Sequence, residues 1–258
     1  MADKPDELAG TEQPFVAHLI ELRDRIVRSL LAVGVVFAIL SYWPGPAALY
    51  DLLARPLVAQ MPAGTHLIAT NVISPFLVPL KITLLLAFLV ALPIVLYQLW
   101  AFIAPGLYSH EKRLVLPLVV SSTLLFLAGV AFCYFFVFGR VFHFIQNFAP
   151  KSVNVAPDIE QYLGFVLTMF LAFGATFEVP VVVVVLVRMG VVSVAKLREF
   201  RGYFVVIAFI IAAVITPPDM VSMLALAIPM CLLYEVGLWT AALAVRKPAA
   251  AADSTSTP

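Results

Sequence analysis

The 258-residue chain is 63% hydrophobic and only 12% charged, and its mean hydropathy is +1.04. Soluble domains are about 45–50% apolar and about 25% charged, so this composition excludes an ordinary soluble globule and indicates an integral membrane protein. The formal net charge of +1 gives no electrostatic reason to expect a nucleic-acid partner.

Six apolar runs are long enough, or nearly long enough, to cross a membrane as helices. In chain order they cover residues ~26–43, ~76–99, ~114–138, ~161–187, ~202–216 and ~220–243. The predicted fold is therefore an all-α integral membrane bundle of six transmembrane helices, with both termini on one side. We expect disordered tails at residues 1–14 and 246–258 around a transmembrane domain of residues 15–245.

Lysine and arginine are unevenly divided between the two sides of this topology. Of the 16 in the chain, the side opposite the termini holds only Arg55, Lys81, Arg140 and Lys151. Cytoplasmic loops carry an excess of these residues. We therefore expect both termini in the cytoplasm.

Two longer segments lie on the opposite, external side. Residues 44–74 include ALYDLLARPLVAQMP, whose apolar spacing predicts a short interfacial helix. Residues 139–160 include QNFAPKSVNVAPD, whose proline and asparagine residues predict a turn region.

The fourth and fifth spans differ strongly in length. Only ~15 residues separate Arg201 from the TPPD turn, which gives a helix of ~22 Å against an apolar core of ~30 Å. The fourth span is ~40 Å long by the same rise per residue. Neighbouring helices of such different length predict a bundle of uneven height with a concave or thinned side. Misplaced helix boundaries are the alternative explanation.

An acidic residue interrupts the fourth span. The stretch AFGATFEVPVVVVVL places Glu178 near its centre, where a charge costs roughly 2.5–3.5 kcal/mol on insertion scales. Pro180 removes one helical hydrogen bond and frees the carbonyl of Thr176, so we predict a kink with polar neighbours. We interpret Glu178 and Thr176 as an intramembrane polar site that lines a water-filled or partner-filled cavity. The alternative is a neutral carboxyl satisfied inside the bundle.

Two further acids lie at the predicted cytoplasmic edge. In FVAHLIELRDR, Glu21 precedes Arg25 by four residues, the spacing of an ion pair on one helix face. In WAFIAPGLYSHEKRLVLP, Glu111 lies in a loop near aromatic residues of the interface belt, Trp100 and Phe102 among them. Both acids could simply be solvated. Within a basic rim, however, projecting carboxylates would select an arginine-bearing ligand, because Arg–carboxylate pairing is planar and bidentate.

The sequence lacks the motifs of familiar enzyme classes. It contains no H-E-x-x-H, no G-x-S-x-G and no phosphate-binding loop, and its four histidines do not cluster. The two cysteines, Cys133 and Cys231, lie in apolar runs and are interpreted as small buried hydrophobes. We therefore expect no enzymatic activity, no metal site and no cofactor.

Five motifs, taken in chain order, resemble the TatC family, the multispanning subunit of the twin-arginine (Sec-independent) protein translocase. They are FVAHLIELRDR, NVISPFLVPLKI, YQLWAFIAPGLYSHEKRLVLP, AFGATFEVP and ITPPDMVSMLALAIPM. The resemblance runs from Phe15 to Trp239 and so covers most of the chain.

The resemblance implies a cupped bundle in the bacterial cytoplasmic (inner) membrane. It also implies a signal-peptide receptor and core subunit that moves folded proteins by means of the proton-motive force. The expected partners are twin-arginine signal peptides, single-span TatA/TatB-type subunits, membrane lipids and further copies of the chain within a larger complex.

The same resemblance assigns roles to individual residues. The signal-peptide site is expected to comprise Glu21, Arg23, Phe102 and Glu111. Glu178 is expected on the concave face, and the docking site for single-span partners is expected at Thr216, Asp219, Met223 and Glu235. Met223 stands where some members have glutamine. Because methionine is only a weak acceptor, we expect packing to replace polar docking at that position.

Two alternative functions stay open at this point. A proton-coupled small-molecule transporter would use Glu178 as its relay, although the chain shows no internal repeat and no further intramembrane charges. A structural membrane scaffold would need neither Glu21 nor Glu111.

Overall fold

A computed structural model describes residues 9–58, 67–103, 112–148, 157–216 and 219–246. The helices in chain order are α1 (Ala9–Tyr42), α2 (Pro46–Val58), α3 (Ser74–Ile103), α4 (Lys112–Phe132), α5 (Phe138–Phe148), α6 (Ile159–Phe177), α7 (Val179–Arg188), α8 (Val194–Glu199), α9 (Arg201–Ile215) and α10 (Met220–Arg246). A π-helical turn at Cys133–Val137 joins α4 to α5. The predicted all-α class is confirmed.

Five of the six predicted spans are helical segments long and apolar enough to cross a membrane. They are Val16–Tyr42, Ser74–Ile103, Val115–Phe144, Ile159–Arg188 and Met220–Leu243. The remaining one, α9, is the fifth in chain order; it has only 15 residues and is therefore about 22 Å long. The fourth span has 30 residues, or about 45 Å. The predicted contrast between these two spans is confirmed.

The third span is longer than the sequence predicted. A turn region was expected from Gly139 onwards, but helix continues from Lys112 to Phe148 through the π-helical turn. The reason is tertiary packing, because Phe138, Val141 and Phe142 are buried on one side of α5. The ring of Phe138 stacks on that of Phe170 in α6, with centroids 5.4 Å apart. The prediction for this part of the segment is therefore wrong.

The predicted short helix between the first two spans is present as α2. Its apolar side is covered by the bundle, since Leu49 and Leu53 are both buried. Two tyrosine hydroxyls also donate hydrogen bonds to its backbone: Tyr162 to the Leu53 carbonyl and Tyr134 to the Leu52 carbonyl, each at 3.0 Å. These contacts fix α2 against the rest of the protein.

A second set of contacts joins the segment before α3 to the segment before α6. The Asp158 carboxylate accepts hydrogen bonds from the backbone N–H and hydroxyl of Thr70 at 2.9 and 2.7 Å. It also caps α6 by accepting from the backbone N–H groups of Glu160 and Gln161. These donors, above all the Thr70 hydroxyl, hold the pKa of Asp158 down at about 2.

Helices α4 and α6 approach each other closely because a glycine lies between them. A Cβ atom on Gly129 would lie 2.5 Å from the backbone oxygen of Phe173, which cannot rotate away. On α6, by contrast, a Cβ atom on Gly164 would meet nothing within 4 Å. Small residues at such positions let transmembrane helices pack backbone to backbone.

We expect Gly129→Ala to destabilise the bundle by about 1–3 kcal/mol, because the added methyl overpacks a rigid contact. The control Gly164→Ala should be neutral or stabilising by up to about 1 kcal/mol, through helix propensity alone. Melting of the purified proteins in detergent would measure both. Equal stability of the two variants would contradict the close α4–α6 contact.

The depressed pKa of Asp158 predicts a defined pH dependence. Stability contributed by the ionised carboxylate is fully present above the unfolded pKa of about 4, and is lost as the pH falls through about 2. The difference in melting temperature between the wild type and Asp158→Asn should therefore shrink across this window. The exposed Asp51→Asn is the control. A difference that stays constant down to about pH 2 would refute the assignment.

Candidate functional site

The first candidate site lies where α1 and α3 pack side by side. Arg25 donates from Nε and Nη2 to Oε1 of Glu21, at 2.9 and 2.5 Å, as the i,i+4 spacing predicts. Its Nη1 donates to Oε1 of Gln98 in α3 at 3.4 Å. Arg25 therefore holds Glu21 in position and also links the two helices.

Within the described part of the chain, only one of the two carboxylate oxygens of Glu21 accepts a hydrogen bond. Its Oε2 is 4.0 Å from Nδ1 of His18, which is beyond hydrogen-bonding distance. The Glu21 side chain is 43% exposed. The ring of His18 stacks on that of Phe102, with centroids 4.3 Å apart and planes inclined by 14°. The accessible acceptor of Glu21 thus lies one turn of α1 away from His18, which stacks on Phe102 of α3.

The other two residues expected at this site are placed differently. Arg23 is 70% exposed and donates to Oδ1 of its neighbour Asp24 at 2.8 Å, and Arg25, not Arg23, bonds to Glu21. Glu111 lies outside the described residues. Gln98, which the sequence analysis missed, is a buried amide that bridges to α1.

An apolar groove of about 280 Å³ runs from this site along the interface of α1 and α3. Its walls include Leu22, Ile26 and Leu30 from α1 and Phe88, Val95 and Leu99 from α3. Arg25, Gln98 and Phe102 also line it. The arrangement fits a ligand that combines a cationic group with an adjoining apolar segment.

The second candidate site is Glu178, which lies between α6 and α7. Helix α6 ends at Phe177 and α7 begins at Val179, so the interruption predicted from Pro180 is confirmed. Ser122 in α4 donates from Oγ to Oε2 of Glu178 at 2.7 Å. Trp100 in α3 donates from Nε1 to Oγ of Ser122 at 2.8 Å. The carboxyl is buried, and its Oε1 has no hydrogen-bond partner among the described residues.

Two expectations for this region need revision. Thr176 is buried two residues before Glu178, but the hydroxyl that reaches the carboxyl is that of Ser122. Trp100 was assigned to the interface belt, yet it is only 4% exposed and takes part in the buried chain of hydrogen bonds. The adjacent serines in an otherwise apolar span were the available signal.

The expected docking residues fall into two groups. Thr216 donates to the carbonyl of Ala212, and Met223 packs partly buried against the core. Asp219 accepts from the backbone N–H of Ser222 at 2.7 Å, while its Oδ2 is buried without a partner in the described part of the chain.

Glu235 lies in the C-terminal half of α10. It lies roughly 24 Å further along the helix than Asp219. There it accepts a hydrogen bond from Nη2 of Arg201 at 2.6 Å. Glu235 is therefore several helix turns away from the other three docking candidates.

Within the described residues, no three His, Cys, Asp or Glu side chains are grouped closely enough to hold a metal ion. Cys133 is buried and Cys231 is half-buried, and both are free thiols.

Comparison with known proteins identifies relatives over most of the chain. The sequence model of the family described as "Sec-independent protein translocase protein (TatC)" matches residues 17–229. A protein of that name from Halothiobacillus neapolitanus is 55% identical over 87% of this chain, which spans only 61% of that relative's length. The protein of that name from Azotobacter chroococcum is 48% identical over 100% of both chains. A crystal structure of the twin-arginine translocase receptor TatC matches with a TM-score of 0.75 and 38% identity, covering 88% of this chain and 99% of that one.

Proposed function

Because this chain belongs to the TatC family of Sec-independent protein translocase proteins, we propose that it is the signal-peptide receptor and core subunit of a twin-arginine translocase. In this proposal it binds the leader of a folded precursor and supports its passage across the membrane without an enzymatic step. The energy comes from the proton-motive force. The family assignment gives no support to the small-molecule transporter considered above.

The observation that carries the receptor role is the open oxygen of Glu21 beside the ring of Phe102. Arg25 occupies Oε1, so Glu21 keeps Oε2 for an incoming guanidinium. One such carboxylate cannot bind two arginines bidentately, and a twin-arginine ligand therefore calls for a second acid. We assign that role to Glu111.

Arg23 has a different role in this proposal. Since Arg25 already orients Glu21, the exposed Arg23–Asp24 pair is free to face the membrane surface. A guanidinium at that level is well suited to contact a lipid phosphate.

The groove between α1 and α3 accepts the apolar part of the leader. It begins at Arg25 and Gln98 and is walled by aliphatic and aromatic side chains. A leader with arginines next to an apolar segment would place its charges at Glu21 and its apolar residues in the groove. This placement puts both chain termini in the cytoplasm, where leaders are first encountered.

The remaining polar residues serve partners within the membrane. Glu178, with Thr176 nearby, offers a polar contact to a partner helix, a leader backbone or water. The edge formed by Thr216, Asp219 and Met223 receives single-span subunits of the TatA/TatB type. Glu235, which is paired with Arg201, makes a separate contact in the C-terminal half of α10.

We expect Glu21→Gln to weaken binding of a twin-arginine leader peptide roughly 10- to 100-fold, since a charged hydrogen bond is lost while side-chain shape is kept. Glu111→Gln should have an effect of the same order. Fluorescence anisotropy of a labelled peptide with the purified protein in detergent would measure both affinities.

The matched control is Glu199→Gln, which removes an exposed acid from α8. It should bind the peptide as the wild type does, and all three variants should melt at nearly the wild-type temperature. Undiminished affinity in both Glu21→Gln and Glu111→Gln would reject the receptor site.

A further inference from the structure

The buried chain of hydrogen bonds from Trp100 through Ser122 to Glu178 is not explained by peptide binding alone. The three residues are 4%, 0% and 9% exposed, respectively. They come from α3, α4 and the junction of α6 and α7, so three separate spans meet at this chain. Polar groups buried at such depth are costly unless they are paired, and they are paired here with defined geometry.

The chemistry of the three groups determines which group donates and which accepts in each of these hydrogen bonds. An indole N–H can only donate, so it occupies an acceptor position on the Ser122 oxygen. Ser122 has a single proton, and that proton is directed at Oε2 of Glu178. Oε2 is thereby held as an acceptor, and Oε1 is left as the open atom of the carboxyl.

The same short stretch of α3 also contacts the proposed peptide site. Gln98 and Phe102 are about 40° apart around the helix axis and contact Arg25 and His18 of α1. Trp100 lies about 160° from either of them and points to α4. One turn of α3 therefore contacts the proposed peptide site on one face and the hydrogen-bonded series Trp100–Ser122–Glu178 on the other.

We infer that Trp100 and Ser122 are positioning residues that orient Glu178 and couple it, through the last turns of α3, to occupancy of the α1–α3 site. The inference rests on the proposed receptor function. A leader guanidinium bound at Oε2 of Glu21 lies beside the like-charged Arg25, and this repulsion displaces the long Arg25–Gln98 bond. The end of α3 then shifts, the indole of Trp100 moves relative to Ser122, and the Glu178 carboxyl is released to turn.

The test uses Trp100 as its own reporter. The other two tryptophans, Trp43 and Trp239, are 77% and 69% exposed and can be replaced together by phenylalanine. In that background, a tryptophan-free twin-arginine peptide should shift the emission of Trp100. Affinity is measured on separate samples with a labelled peptide, so that the label does not affect the emission.

Ser122→Ala should abolish this peptide-dependent shift while leaving peptide affinity within about two-fold of wild type. Translocation into membrane vesicles should fall on the order of ten-fold, within the usual range of coupling between sites. Ser122→Thr, which keeps the hydroxyl, should restore both the shift and transport. The matched control is Ser121→Ala, because Ser121 is exposed and its hydroxyl bonds to the carbonyl of Leu118 in its own helix.

The outcomes that contradict the proposal distinguish failure of the coupling from failure of the receptor function. Peptide binding without a change in Trp100 emission would overturn the coupling and leave the receptor function standing. A shift in Ser122→Ala equal to that in Ser121→Ala would also overturn it. Failure of the unmodified protein to bind the peptide would overturn the receptor function, and this inference with it.

Discussion

A carboxyl group in or beside an apolar bundle must find hydrogen-bond donors within the protein, and the two central acids of this chain meet that requirement in the same way. Arg25 holds one oxygen of Glu21, and Ser122 holds one oxygen of Glu178. In each carboxyl the second oxygen is left without a hydrogen bond from the described residues. Half of each group thus serves the fold, while the other half is exposed in Glu21 and buried in Glu178.

The arrangement of the helices explains how such an acid is tolerated. Glu178 interrupts a fourth span of about 45 Å, whereas the fifth span, α9, is about 22 Å long. A span shorter than the apolar core thins the adjoining bilayer and shortens the distance over which a polar group must avoid water. Helix α3 connects this region to the α1–α3 groove, because Trp100 and Phe102 lie on opposite faces of one turn.

Local patterns in the sequence were sufficient to predict the spans, helix α2, the helix interruption near Pro180 and the pairing of Glu21 with Arg25. Each depends on composition or on spacing within one helix. The partners of Glu178 could not be predicted, because Ser122 reaches it from 56 residues away in another helix. For the same reason the pairing of Glu235 with Arg201 could not be predicted. Nor could the extension of the helix beyond Gly139, which depends on contacts in the packed bundle.

The central claim is that the open oxygen of Glu21 distinguishes arginine from other cations. The most direct measurement is a double-mutant cycle that compares leader peptides carrying two arginines or two lysines on the wild type and on Glu21→Gln. Replacing both arginines by lysine should weaken binding to the wild type at least about ten-fold more than binding to the variant, where only Glu111 is left to pair with a guanidinium, which is a coupling of about 1.4 kcal/mol or more. Equal losses in both proteins would show that Glu21 does not read the guanidinium groups.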